Sequence, residues 1–561
     1  MNSASLQAPN ETGITTAGLI FSMMQVLCIA CCILQLFIDF SFTNIGCVLL
    51  VLTGCTAVIQ YFWRSNCFKD NPISSIALLG LMIMSEFTSL LAQTLDWTAI
   101  SSYLQVPLET FSLETSVLIL TILSQWLFRH LSATERARGW LATRVFKPLG
   151  LIEAPPVTAL WLLGIIGTAS LLKSQDSAVG AGGKFVEAFR PFSWLPFLIP
   201  FYYRQLGKAY CNMPVQWVML LAYSAAVALV GLALNVRTVM VAGPLTAAVM
   251  YLVSTLQSET RATNKHVIKL GILSIGFFVG IVLFAQVATA MVVVRSTKEH
   301  TPPAQLVKET ITVLLHERHK MQTLEDAGFV DYLLKDYNEW YIRNPVLARF
   351  SETKFVDNVL VVGTNLDDKG KKELWDETVN RTLTTFPQTL FDWLGSKFNK
   401  YDYFYSGGDV YRYLATGNGL GFFVGGSAWV DLLVFTGAFF PLAVIAINLL
   451  TCLLLDSLSF KGGGLTALSP PLICMSYVLI LFGFSSDSLA GRSQFFLRGL
   501  PQPLALYAIA YFLVMMTLNT ILARGHGPQV LKETSAWNIL ADRGRGSVYR
   551  WIDRARKLKR K

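Results

Sequence analysis

The sequence predicts an all-α, polytopic integral membrane protein with about twelve transmembrane helices and one large hydrophilic segment between the ninth and tenth of them. Of its 561 residues, 53% are hydrophobic and only 15% are charged, whereas about a quarter of the residues of a soluble protein are charged. Apolar runs recur along the whole chain, each near the roughly 20 residues with which a helix crosses a bilayer. The runs are continuous rather than alternating, which favours helices over a closed β-barrel.

The apolar runs divide unequally around the hydrophilic segment, with about nine before it and about three after it. The first residues, Met1 to Thr12, lack a basic stretch, so no cleavable signal peptide is expected. The sixth run is short for a helix that crosses a bilayer. The predicted spans are 13–37, 42–63, 73–95, 110–128, 157–173, 193–203, 215–234, 238–256, 267–294, 428–455, 471–487 and 501–522.

Lysine and arginine are concentrated on one side of this predicted membrane. They lie in the loop after the fourth span, from Arg129 to Lys147, in the loop before the ninth, and in the tail from Arg554. Since cytoplasmic loops carry the excess of these residues, both termini are expected in the cytoplasm. The net charge of +10 comes mostly from this excess. It favours contact of the tail with anionic lipid over binding of nucleic acid.

Four regions follow from this pattern. Residues 1–295 are predicted to form a membrane domain of about nine helices, and 428–522 one of about three helices. Residues 296–427 are predicted to form a mainly helical cap on the non-cytoplasmic side, and 523–561 a basic cytoplasmic tail. The cap helices are predicted over Pro303–Trp340, Val346–Leu360 and, broken at Pro387, Leu374–Leu394.

The cap carries no cysteine, although the chain has nine, so a disulfide framework is not expected there. It also lacks the alternating strands of a Rossmann or barrel domain. We therefore expect a helical cap that lies on the membrane domain and not an independent enzyme domain.

Several chemistries lack their motif in this sequence. His316-Glu-Arg-His319 does not have the spacing of a zinc protease motif, and a solvated helix face explains it better. Gly462-Gly-Gly464 is not followed by the residues of a phosphate-binding loop, and no GxSxG elbow is present. No metal and no cofactor are therefore expected, and ATP-driven transport and serine hydrolysis are disfavoured.

Arginines near the non-cytoplasmic face are the strongest candidates for binding. Arg237 lies in a short turn between the seventh and eighth spans, where it could simply snorkel to the membrane surface. Its planar, permanently charged group also suits a clamp on a diphosphate. The other candidates are Arg190 and, with aromatic neighbours that include Tyr411 and Tyr413, Arg343, Arg349 and Arg412.

Carboxylates supply the candidate acids and bases. Asp431 lies four residues into the tenth span, where an ionisable group is costly and indicates a cavity or a partner. Asp431 and Asp409 bracket a glycine-rich loop and rank above Glu86, Glu109 and Glu114, which could act as a base or pair with an arginine.

The layout resembles that of the O-antigen polymerase and ligase superfamily of bacterial envelope glycosyltransferases. Asn235-Val-Arg237-Thr resembles the arginine site of that superfamily. Gly425-Gly-Ser-Ala-Trp-Val-Asp-Leu-Leu-Val-Phe-Thr-Gly437 resembles the signature that closes its large loop. Ligases usually carry His-Asn at the start of this signature, where this chain has Gly426-Ser427. The departure argues against a ligase and favours a polymerase or a divergent relative.

The resemblance implies a GT-C-like enzyme of the bacterial inner membrane with the cap in the periplasm. Such a polymerase joins polyprenyl-diphosphate-linked oligosaccharide donor and acceptor units into a long polysaccharide, beside a chain-length regulator or flippase of the same pathway. Arg237, Arg349 and Asp431 are then expected to be catalytic. The residues expected to bind substrate are Arg412, Arg343, Tyr411, Tyr413, Asp409 and Arg190.

Two alternatives stay open from the sequence. The first is a transporter or flippase for polysaccharide or lipid-linked sugar, which is disfavoured because no internal repeat pairs the two halves of the chain. The second is a non-catalytic subunit of an envelope polysaccharide synthesis complex.

Overall fold

The computed structural model describes residues 15–173, 186–207, 210–258, 263–294, 302–316, 337–342, 347–417, 419–462, 465–473 and 484–525. Over these ranges the chain is mostly helical, which agrees with the predicted class. The predicted basic tail beyond 525, most of the span at 471–487 and the second half of the first cap helix lie outside the described residues.

The main helices before the cap are labelled here in chain order. They are α1 (Thr16–Ile38), α2 (Phe42–Arg64), α3 (Pro72–Leu95), α4 (Pro107–His130), α5 (Val157–Lys173), α6 (Ile199–Leu206), α7 (Met213–Ala233), α8 (Arg237–Leu256) and α9 (Asn264–Val293). The shorter elements between them are the helices Cys67–Asp70 and Ser132–Trp140, the π-helical turn Leu141–Phe146 and the 3-10 helix Arg190–Leu198.

The cap and the end of the chain add further helices. They are α10 (Pro303–His316), α11 (Thr353–Thr364), α12 (Asp368–Leu383), α13 (Gln388–Trp393), α14 (Gly407–Thr416), α15 (Ala428–Thr436), α16 (Phe440–Asp456), α17 (Leu489–Gln494) and α18 (Pro501–Gly525). Short elements are the 3-10 turns Leu347–Phe350, Lys400–Tyr403 and Gly437–Phe439, the helix Pro470–Ile473, the π turn Phe495–Gly499, and an antiparallel hairpin of β1 (Ser459–Gly462) and β2 (Leu465–Leu468).

Seven stretches of the described chain are long and apolar enough to cross a membrane. They match seven of the predicted spans, and α5 and part of α8 are shorter apolar helices at two more. The chain is therefore a multi-pass helical membrane protein by length and composition. The total of twelve spans and the sidedness of the termini stay predictions. The seven are α1, α2, α3, α4, α7, α15 with α16, and α17 with α18.

One predicted boundary is wrong. The last span was expected to begin at 501, after a loop at 488–500, yet the helix begins at Leu489. Arg492 and Gln494 give this stretch the polarity of a loop. Arg492 is nevertheless buried, and its Nη2 donates to Thr451 Oγ1 at 2.8 Å. A buried arginine with a hydrogen-bond acceptor is tolerated inside a helical bundle.

Two large hydrophobic cores hold most of the described helices together. One is formed around α5, Arg190–Leu198 and α18. The other joins α1 to α4 and α16, and it also contains cap residues such as Val359, Leu360 and Tyr411. Because cap and membrane helices share this core, the cap is a part of the bundle and not a separate domain. The end of the bundle that carries residues 347–427 is called the cap face below.

Candidate functional site

The first turn of α11 enters the bundle beside the middle of α3. The backbone N–H of Glu352 donates to the Met84 carbonyl at 2.9 Å, and the Thr353 hydroxyl donates to the Ser85 carbonyl at 2.5 Å. Both carbonyls belong to the π-helical turn Ile83–Phe87 of α3. A π turn widens the helix by one residue and changes its hydrogen-bond pattern, and such turns are frequent at functional sites. The inserted turn therefore donates hydrogen bonds to backbone carbonyl oxygens of α3, and lipid has no donors that could do so.

Hydroxyl groups continue this contact. Ser89 Oγ lies 2.6 Å from Ser351 Oγ and 2.7 Å from Thr353 Oγ1. One turn further along α11, the buried Asp357 accepts the backbone N–H groups of Gln105 and Val106, each at 2.9 Å. These are orphan donors at the start of α4, and a carboxylate is a favourable partner for them. Two independent anchors thus fix α11 in the bundle.

Asp357 also binds a lysine. Lys354 Nζ lies 2.9 Å from Asp357 Oδ2, and both side chains are almost fully buried. The ammonium group donates as well to the Tyr103 carbonyl at 2.6 Å. Since a buried charge needs a partner and satisfied hydrogen bonds, this pair is complete in itself and is not available to a ligand.

Three serine- and glycine-rich segments meet at the cap face, and they are called the Ser-Gly junction: Ser406–Gly408, Gly425–Ser427 and Ser485–Ser488. They lie at the N-termini of α14, α15 and α17. The N–H of Ala428 donates to the Ser486 carbonyl at 2.9 Å. A Cβ on Gly408 would lie 2.0 Å from the Gly425 carbonyl oxygen, so only glycine allows this approach. Three helix N-termini converge here.

Two predicted carboxylates hold this junction together. Asp409 forms a capping box with Ser406 and accepts the N–H of Phe423 at 2.9 Å. Asp431 accepts the Tyr411 hydroxyl and the Leu489 N–H, each at 2.7 Å. Asp409, Tyr411 and Asp431 are all buried. These hydrogen bonds fix the backbone and leave little capacity for a ligand.

Two further carboxyl groups face the junction with free capacity. Asp487 accepts the N–H of Gly407 at 3.1 Å and pairs with Arg381 at 3.3 Å, but its side chain stays 43% exposed. Glu352 is half-buried and accepts a hydrogen bond from the Ser485 hydroxyl. Burial raises the pKa of Glu352 to about 7, with a further contribution from the charge of Asp487 and an opposing one from Ser485. A carboxyl that titrates near neutral pH is suited to proton transfer.

Arginines supply the positive charge at the cap face. Arg412 is 3% exposed, and its guanidinium carbon lies 4.0 Å from the ring centroid of Phe422. Its Nη1 donates to the Gly419 carbonyl at 3.5 Å. Within the described residues, no carboxylate lies within 4 Å of Arg412. A buried guanidinium that is held by a ring and a carbonyl is a cation with capacity for an anionic group.

The loop over Arg412 is apolar and exposed. It carries Leu420, Phe422 and Phe423 between Gly417 and Val424, and Gly417, Gly421 and Phe423 have positive φ. Phe423 packs edge-on against Phe404 at 5.4 Å, and Phe404 is 78% exposed. An exposed aromatic surface beside a buried arginine suits a ligand with an anionic head and an apolar tail.

The structure brings together four of the nine predicted site residues, namely Asp409, Tyr411, Arg412 and Asp431. Tyr413 is 41% exposed on α14 and lies one residue from Arg412. Arg190 is not part of the junction. It is the first residue of the 3-10 helix that packs on α5, and its side chain pairs with Glu187 at 3.6 Å.

The other predicted arginines are placed only in part. Arg237 is the first residue of α8, and Arg349 lies in the turn Leu347–Phe350, three residues before Glu352. Neither side chain is among those described, and Arg343 lies outside the described residues. Their roles, and the approach of Arg237 to Arg349 or Arg412, stay predictions.

Sequence reasoning did not find Glu352, Asp487 or Arg381. A signal for Asp487 was present, because Ser485-Ser-Asp-Ser488 is a polar run at the end of a predicted apolar span. The sequence around Glu352 contains no such signal, because this residue lies in an ordinary polar stretch. In the described residues, no group of three or more His, Cys, Asp or Glu side chains is arranged to hold a metal ion.

Comparison with family models, with curated proteins and with solved structures finds no match to this chain. The fold and the site together define a multi-pass helical membrane protein. Its polar, partly open site lies where the cap enters the bundle.

Proposed function

We propose that this protein is a membrane glycosyltransferase that joins polyprenyl-diphosphate-linked oligosaccharide units into a polysaccharide. The observation that carries the proposal is the placement of Glu352, a carboxyl with a pKa of about 7, at the Ser-Gly junction beside Asp487 and Arg381. A base near neutral pH and fixed cations at the membrane level are what such a transfer requires.

Glu352 is assigned the role of general base. A hydroxyl at the non-reducing end of the acceptor attacks the anomeric carbon of the donor sugar. The bond from that carbon to the diphosphate oxygen breaks, and the lipid diphosphate leaves with the electron pair. The hydroxyl proton passes to the carboxylate of Glu352. Asp431, predicted as catalytic, is assigned a positioning role instead, because Tyr411 and Leu489 already bind its two oxygens.

Arg412 and Arg381 are assigned to the diphosphate. The leaving group carries about two negative charges, and fixed donors in a partly dry site stabilise it strongly. Arg349 lies in the turn before Glu352 and is a third candidate. The exposed Phe404 and Phe423 beside Arg412 suit the polyprenyl chain. The periplasmic side and the bacterial inner membrane belong to this proposal.

Deletion of the gene in its native bacterium tests the proposal. Single repeat units are expected to accumulate on the lipid carrier while long polymer disappears. Complementation with Glu352→Gln or Arg412→Ala should leave that defect, and Arg412→Lys should restore it only in part because lysine lacks the planar fork. Matched controls are Glu109→Gln and Arg498→Ala, which change exposed residues and should restore polymer. Normal polymer from well-expressed Glu352→Gln would refute the base.

A transporter of lipid-linked sugar is the second candidate. Irregular backbone at the Ser-Gly junction and the break between α15 and α16 at Gly437–Phe439 resemble discontinuous helices, which many transporters use at their substrate sites. The same deletion separates the two functions. A transport defect leaves the units on the cytoplasmic leaflet, whereas a polymerase defect leaves them on the opposite leaflet.

A further inference from the structure

Two buried glutamates face each other inside the membrane bundle, below the site described above. Glu86 belongs to the π-helical turn of α3 and is fully buried, and Glu114 belongs to α4 and is 5% exposed. Both lie within helices apolar enough to span a membrane. An ionisable side chain at such a depth is costly and indicates a function by default.

Glu86 is well supported by its neighbours. Thr115 Oγ1 donates to Glu86 Oε1 at 2.7 Å, and Cys55 Sγ lies 3.7 Å from Glu86 Oε2. A Cβ on Gly54 would lie 2.3 Å from Glu86 Oε2, so the glycine makes room for the carboxyl. Both carboxyl oxygens of Glu86 therefore face hydrogen-bond donors. A carboxyl group can accept these hydrogen bonds whether it is ionised or neutral.

Glu114 is placed differently. Its Oε1 is buried and has no hydrogen-bond partner among the described residues. Its Oε2 lies 3.4 Å from Thr353 Oγ1. The hydrogen of that hydroxyl is already given to the Ser85 carbonyl at 2.5 Å. Since a hydroxyl has one hydrogen, Glu114 can bond to Thr353 only as a donor, and a carboxyl donates only when it is protonated.

The charges around the pair favour the same state. Among the described residues, no Lys or Arg nitrogen lies within 4 Å of either carboxyl. The ammonium group of Lys354, in the inserted segment, is bound to Asp357. Two like charges in a dry site cannot both persist. The titratable groups that face the pair are Cys28 and Cys32 on α1, Cys55 on α2, Tyr341, and Glu352 and Asp357 of the inserted segment.

We propose that Glu86 and Glu114 form a proton-binding site, with the proton on Glu114. The neutral acid donates to Thr353 Oγ1 and so fastens the inserted turn of α11 to the middle of the membrane bundle. This site is separate from the proposed transferase chemistry and stands whether or not that chemistry is correct.

The surroundings of the pair differ on its two sides. Towards the cap face, the hydroxyl groups of Thr353, Ser89 and Ser351 form a continuous file. In the opposite direction, α3 and α4 present Leu78, Met82 and Leu118, all fully buried and apolar. Hydroxyl groups therefore adjoin the pair on the side of α11, and apolar side chains adjoin it on the other side.

Infrared difference spectroscopy of the full-length protein in lipid nanodiscs tests the proposal. The spectrum of the wild type minus that of Glu114→Gln at pH 7 is expected to show the carbonyl band of a protonated carboxylic acid. Glutamine has the same shape and still donates to Thr353, so the variant should fold. The matched control is Glu109→Gln on the same helix, where the exposed carboxyl should give only carboxylate bands.

A second variant locates the proton. The spectrum of the wild type minus that of Glu86→Gln is expected to show no acid band, because protonated Glu114 is present in both proteins and its band cancels. If Glu114→Gln removes only carboxylate bands, the proton is absent and the proposal is wrong. If Glu86→Gln removes the acid band instead, the assignment of the proton to Glu114 is wrong.

Discussion

Burial raises the pKa of Glu352 from 4.5 to about 7, with the charge of Asp487 adding to the rise and the hydrogen bond from Ser485 opposing it. The folded protein then holds the proton more tightly than the unfolded chain. The stability contributed by this carboxyl is present below about pH 4.5 and is lost as the pH rises through about 7. A general base behaves in the opposite way, because its activity appears as the proton leaves.

Two opposite pH trends are therefore expected from Glu352. Between about pH 5 and about pH 8, the melting temperature of the wild type should fall more than that of Glu352→Gln. Over the same range, transfer by the wild type should rise to a plateau above about pH 7, and Glu352→Gln should lose about 10²- to 10⁴-fold in rate. Thermal denaturation in nanodiscs measures the melting temperature, and polymer formation in nanodiscs measures the transfer rate. A rate that does not depend on pH through neutrality would remove Glu352 as the base.

The predictability of the site differs from residue to residue. Asp431 stood out because a carboxylate in an apolar run is conspicuous, and Asp409 and Arg412 because they flank glycines. The sequence could not show that Asp431 is bound by Leu489, a residue 58 positions away. Glu352 depends on Ser485 and Met84, both distant in the chain. Nothing in its local pattern indicates burial.

Among the elements, the Ser-Gly junction gives the sharpest test of packing. Alanine favours a helix over glycine by about 1 kcal/mol, so propensity alone predicts that Gly408→Ala stabilises α14. The new Cβ would lie 2.0 Å from the Gly425 oxygen and 2.5 Å from the Val424 oxygen. Overpacking against fixed backbone costs about 1–3 kcal/mol or more, so the clash should win.

Gly408→Ala is thus expected to lower the melting temperature in nanodiscs and to reduce activity. Gly419→Ala is the matched control, because nothing lies within 4 Å of a Cβ at that position. An unchanged melting temperature for Gly408→Ala would mean that the segments of the junction do not approach as closely as described.

Hydrophobic runs predicted most membrane helices within a few residues, as at α1, α2 and α3. The break at Pro387 was also correct, since α12 ends at Leu383 and α13 begins at Gln388. The insertion of α11 could not be predicted. Its sequence reads as an amphipathic helix of a soluble cap, and periodicity indicates which face is buried but not the element that covers it.

The topology of the whole molecule is a prediction from charge, and labelling can test it. A cysteine in place of the exposed Lys369 should react with an impermeant maleimide from outside the cytoplasmic membrane. A cysteine in place of Arg136, also exposed, should react only after the membrane is opened. The native cysteines that the structure describes are buried, apart from the partly exposed Cys211, so their background is low. Labelling of position 369 from the cytoplasmic side alone would invert the predicted orientation.

The shared core predicts how the cap behaves when it is removed from the membrane domain. Val356, Val359 and Leu360 on α11 are buried in the same cluster as Leu118 on α4 and Val444 on α16. In an isolated fragment of residues 300–420 these apolar side chains would meet water, at a cost of about 1.5–3 kcal/mol for each fully buried one. The hydrogen bonds that Asp357 accepts from the backbone N–H groups just before α4 would be lost as well.

The fragment is therefore expected to aggregate or to show no cooperative unfolding transition, whereas the full chain in nanodiscs should unfold cooperatively. Circular dichroism during heating and light scattering measure this. A fragment in which Val359 and Leu360 are replaced by glutamine controls for solubility. It should stay soluble longer without gaining a transition, because the missing partners are those of the bundle. A monomeric wild-type fragment with a sharp transition would show that the cap is an independent domain after all.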